Sequence, residues 1–126
     1  MAEQKINAGF VRDGASKISE EDLRKVSDKA EEIKAKAKGP LGKYVGDVKM
    51  LLSMINDYLN GRYREIPWTS ITAVAFALLY IFSPIDIIPD VIPVIGLTDD
   101  ALVLVVCLVL IEEDLIKYQE WKVANA

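Results

Sequence analysis

The chain has 126 residues, 52% of them apolar, a net charge of −4 and no histidine. That length suits one domain. The acidic balance argues against a general nucleic-acid binder, which presents a basic face studded with aromatics. The missing histidine removes the commonest general base and the commonest metal ligand.

Charge and apolar residues are unevenly shared along the chain. Residues 1–64 hold 13 basic and 10 acidic residues, a net of +3, and residues 65–126 hold 2 and 9, a net of −7. Residues 1–18 are polar, with Gly9 and Gly14 and no clear period, and are expected to be a flexible tail. MAEQKINAGFVRDGASK contains no signal-peptide apolar core, so an internal segment is expected to direct any membrane targeting. Ser19, followed by Glu20, Glu21 and Asp22, reads as a capped helix start. That helix is predicted over residues 19–38, with Leu23, Val26, Ala30, Ile33 and Ala37 spaced as a weak coiled-coil seam. Packing on its own domain is the first reading of the seam and self-association the second. Gly39-Pro40 ends the helix, and a second amphipathic helix is predicted over 41–60 with Gly61 at its end. Lys43, Asp47, Lys49, Asn56 and Asp57 read as its solvated side.

The remainder, 61–126, is expected to be an apolar helical hairpin with an amphipathic end. Between Glu65 and Lys117 there is no lysine or arginine. Pro67 suits the first turn of a helix ending at Phe82. Another helix is predicted from Asp99 to Val123, its purely apolar part being ALVLVVCLVLI. Those eleven residues cover roughly 16 Å, too little to cross a bilayer alone. Cys107, the single cysteine, has no intramolecular partner and reads as a small apolar residue rather than a reactive thiol.

Between those helices lies SPIDIIPDVIPVIGLTDD. Ser83, Pro84 and Asp86 have the form of an N-terminal cap, and Pro89 and Pro93 forbid a long helix. Thr98, Asp99 and Asp100 suit the cap of the next helix. Capping and turn-making account for these acids first. The functional alternative is a Mg²⁺ or Ca²⁺ site formed by Asp86, Asp90, Asp99 and Asp100, hard oxygen ligands without a soft one. No nucleophile, base or polar pocket accompanies them, so no enzymatic activity is expected.

Gly61-Arg62-Tyr63, Ile66-Pro67, the apolar helix with Tyr80 near its end, the run from Ser83 to Asp90, Pro93-Val94-Ile95-Gly96 and Asp99-Asp100 together resemble the signature of the YkvA-like domain. This is a small, mostly bacterial domain of unknown function. The resemblance covers roughly residues 52–115. It implies a helical, membrane-associated module and brings no catalytic residues.

The expected architecture is therefore all-α: two amphipathic N-terminal helices, then the apolar hairpin closed by the acidic, proline-rich turn. The expected function is a non-enzymatic membrane anchor or adaptor whose partner is the lipid bilayer. A protein partner or self-association would be served by helices 19–38 and 41–60. A cation-handling module and a soluble helical interaction protein are the alternatives. Basic residues flank the apolar stretch and avoid its turn, so both termini are expected to be cytoplasmic, at a bacterial inner membrane.

Overall fold

The structure, a computed structural model, describes residues 7–39, 42–82 and 100–125. The described residues are all helical: α1 Ala8–Ala15, α2 Glu20–Asp28, α3 Ala30–Ala37, α4 Val45–Leu59, α5 Trp68–Phe82, α6 Asp100–Leu110 and α7 Glu112–Ala124, with a 3-10 turn over Gly42–Tyr44. The acidic, proline-rich turn lies outside the described residues.

The first 18 residues are not a featureless tail. Asn7 accepts a hydrogen bond from the backbone N–H of Phe10 and opens α1. Val11, Gly14 and Ala15 are buried, and the Phe10 ring meets the edges of Phe76 and Tyr80 on α5. Apolar contact, rather than local propensity, holds this short helix, because an isolated helix of eight residues is marginal in water.

Ser19 forms a full capping box with Asp22, each side chain bonded to the other's backbone N–H. Ser19→Ala should therefore cost about 1 kcal/mol, read as a lowered midpoint in urea unfolding. The single helix predicted over 19–38 is in fact two, broken at Lys29, whose backbone leaves the helical region at φ −100°, ψ 15°. Leu23, Val26, Ile33 and Ala37 are all buried within the molecule, so the seam serves the domain's own core. Gly61 has φ +77° and follows α4 as the left-handed residue that ends it.

α5 is the centre of the bundle. Helices α1, α2, α3, α4 and α6 all pack on it. Eleven of its fifteen residues are buried, as a helix with almost no polar face requires. Its two buried hydroxyls, Ser70 and Thr72, are satisfied across the core and locally. Thr72 donates to the Trp68 carbonyl at 2.8 Å, and Ser70 donates to Asp114 Oδ2 at 2.6 Å. Lys36 of α3 donates to the Phe82 carbonyl at 3.0 Å, placing a cation at the C-terminal end of α5. The Cys107 thiol of α6 lies 3.6 Å from the Ala73 carbonyl. Ala73 therefore faces Cys107 while Ser70 faces Asp114, so the chain passing from α6 into α7 runs back along α5 in the opposite direction.

The helix predicted from Asp99 to Val123 is likewise two helices, joined at Ile111. Ile111 N–H still bonds the Cys107 carbonyl, and Leu115 N–H bonds the Ile111 carbonyl. The joint is a local departure from helical dihedrals at Ile111 within a hydrogen-bonded path rather than a loop.

Candidate functional site: an enclosed carboxylate between two helices

The most concentrated polar chemistry among the described residues surrounds Asp57. It sits in the last turn of α4 and is 1% exposed. A carboxylate that deep needs partners for both oxygens. Arg62 Nε and Nη2 each reach Oδ1 at 2.9 Å. On Oδ2, the Tyr118 hydroxyl donates at 2.6 Å and Lys122 Nζ at 3.1 Å. Tyr118 has a single hydroxyl proton and gives it to Asp57, so the nearby Ser53 hydroxyl donates to Tyr118.

The local chain makes this geometry. Gly61 turns the chain back, and the N–H groups of Arg62 and Tyr63 then bond the Asp57 carbonyl. That fold-back aims the Arg62 guanidinium at the Asp57 side chain. Tyr118 and Lys122 are four apart and share one face of α7. Tyr63, Tyr118 and Trp121 pack as an aromatic cluster, with ring centroids 5.0–5.9 Å apart.

Burial opposes ionisation of Asp57, but the hydrogen bonds from Tyr118, Lys122 and Arg62, with the charge of Lys122, outweigh it. The carboxyl is held below its ordinary value of 3.8. Burial and the bond to Asp57 push the Tyr118 hydroxyl well above its ordinary range. A tyrosine acting as a base needs the opposite shift. The cluster therefore holds charge in place, and its chemistry is that of a fastening between α4 and α7.

Of the four aspartates considered for a cation, Asp86, Asp90 and Asp99 lie outside the described residues, and Asp100 is the first residue of α6. Among the described residues, no group of three acidic, cysteine or histidine side chains could hold a metal ion. Cys107 is fully enclosed, and burial pushes its thiol up to about 12, in keeping with an unreactive apolar role. The sequence reading set Asp57 on the solvated side of its helix, and the structure reverses that assignment. The available signal was the Gly61-Arg62-Tyr63 motif, which returns a cation to within five residues of Asp57.

Among the described residues, no helix is long and apolar enough to cross a membrane. A family model described as "Protein of unknown function (DUF1232)" matches residues 70–106, from the first turn of α5 into α6. The curated "Uncharacterized membrane protein YkvA" of Bacillus subtilis (strain 168) is 36% identical over 80 residues, which span 64% of this chain and 76% of that protein. No solved structure gives a significant match.

Proposed function

The chain belongs to the DUF1232 family of YkvA-like proteins, and from that membership we propose that it is a non-enzymatic helical module held at the cytoplasmic membrane. Its role there is that of an anchor or adaptor for a protein partner. One observation carries the reading: a chain related to a membrane protein keeps α6, a helix without a charged side chain between Ala101 and Leu110, at the edge of its bundle. The association is by insertion of a helix face rather than by a span, a reading supported by α5, eleven of whose fifteen residues are buried against protein. Arg62 and Lys122 flank the apolar stretch in sequence and meet on one carboxylate, which supports having both of its flanks on the same, cytoplasmic side. The cluster around Asp57 supports a role without catalysis, since its groups are committed to one another.

The apolar faces of α2, α3 and α4 are spent on the core, so a protein partner would meet their charged outer faces. The enclosure of α5 also favours a second reading, a helical interaction protein whose apolar helix is its own core. Cell fractionation separates the two. The chain should sediment with membranes and remain there through a high-salt wash. Recovery of monodisperse protein from the cytosolic fraction without detergent would sink the membrane reading and leave the second.

A further inference from the structure

On the membrane reading above, on which this step rests, we infer that the outer face of α6, formed by Leu102, Val105 and Val109, is the surface that enters the bilayer, by apolar contact with neutral lipid. The three residues are spaced three and four apart, so they share one helix face. They are 43%, 37% and 65% exposed. On the inner side Val103, Leu104, Cys107 and Ile111 are buried.

An ordinary surface helix turns charged groups outward. The next helix does so: on α7, exposed Glu113, Lys117 and Glu120 alternate with Ile116 and Val123. Single apolar residues among charges are normal on any surface. The outer face of α6 has no such company, and nothing on it can hydrogen-bond water.

Two occupants could cover it. A second copy would need roughly 800 Å² per partner and a polar rim to set its register. Three side chains on a three-turn helix fall far short of that area. A bilayer asks for neither. An apolar helix face is buried about 5–10 Å into the headgroup boundary without any fixed register.

Side chains of the types found at such a boundary lie near the joint that follows α6. Ser70 bonds Asp114, so the start of α5 lies beside the joint between α6 and α7. Two residues before it, Trp68 is 46% exposed, with its ring 6.5 Å from that of Tyr58. The Arg64 guanidinium lies 4.5 Å over the Tyr58 ring. Tryptophan, tyrosine and arginine concentrate where lipid meets water. Exposed Glu112 and Glu113 immediately follow the α6 face and would repel anionic headgroups, which selects neutral lipid.

The test uses the purified full chain with sedimenting vesicles of pure phosphatidylcholine, and a second set containing phosphatidylglycerol. Wild type should bind the first at least as well as the second and keep its binding in high salt. The triple variant Leu102→Gln, Val105→Gln, Val109→Gln should bind about 30-fold or more weakly. Ile116→Gln with Val123→Gln should stay within about twofold of wild type. A triple variant that folds and binds like wild type overturns the assignment of the surface while the membrane reading stands. Wild type that sediments with neither vesicle overturns the membrane reading itself. Binding that requires phosphatidylglycerol and is abolished by salt overturns the neutral-lipid mechanism. A second measurement does not depend on how the triple variant folds. Val109→Cys labelled with an environment-sensitive dye should shift to shorter wavelength on phosphatidylcholine vesicles, with enclosed Cys107 left unlabelled, and an unchanged spectrum overturns the inference.

Discussion

Asp57→Ala should destabilise the protein by roughly 2–4 kcal/mol in equilibrium unfolding and loosen α7 first. The variant removes the acceptor shared by Arg62, Tyr118 and Lys122. The loss stays below the upper end for a sealed ion pair, because the Arg62 and Lys122 side chains are 59% and 46% exposed and can return to water. Amide hydrogen exchange should rise in α7 more than in α5. Asp57→Asn keeps the shape and one acceptor and should fall between wild type and Ala. The pH dependence has a definite sign. The folded-state value of Asp57 lies below its ordinary 3.8, so its contribution is complete above 3.8 and is lost as pH falls through the lower, folded value. The Asn variant should lack that part of the acid transition. An Ala variant as stable as wild type, with unchanged exchange in α7, would show that the fastening is idle.

The second large effect is expected at Phe76, which is 1% exposed and packs against Phe10 and Gly14 of α1 and Tyr80 of its own helix. Phe76→Ala should cost about 3–5 kcal/mol through the cavity it leaves. Gly14 provides the complementary test. A Cβ at Gly14 would overlap the Phe76 ring, so the glycine is there for the close approach of α1. Gly14→Ala alone should cost about 1–3 kcal/mol by overpacking. Combined with Phe76→Ala it should cost little further, because the ring it struck is gone. Thermal unfolding of the four proteins in that cycle gives the coupling. Strictly additive losses would mean that α1 does not seat on Phe76.

What could be read from sequence was what is decided locally. The Ser19 cap, the left-handed Gly61 and the helix opening after Pro67 each depend on a few adjacent residues. The all-helical class and the apolar character of α5 and α6 follow from composition over a dozen residues. α1 escaped because eight residues with two glycines carry too little periodic signal, and its stability comes from Phe76 and Tyr80, far along the chain. The breaks at Lys29 and Ile111 carry no proline or glycine to announce them. Asp57 escaped for a related reason. On its own helix it falls among polar neighbours, and two of its partners are 61 and 65 residues away. The apolar stretch read as a membrane hairpin holds, in α5, the core of the bundle, since an apolar helix satisfies its surroundings equally well with protein or with lipid.

The fastening at Asp57 also bears on where an autonomous folding unit begins and ends. The stretch recognised as common to the family, residues 70–106, contains most of α5 and much of α6 and none of Ser53, Asp57, Arg62, Tyr118 or Lys122. Excised alone, its described helices would lack the layers that cover them. A fragment meant to fold by itself needs α1 to α4 to cover α5 as well as α7 to close the fastening, so the part of the chain that identifies the family is smaller than the part that can stand.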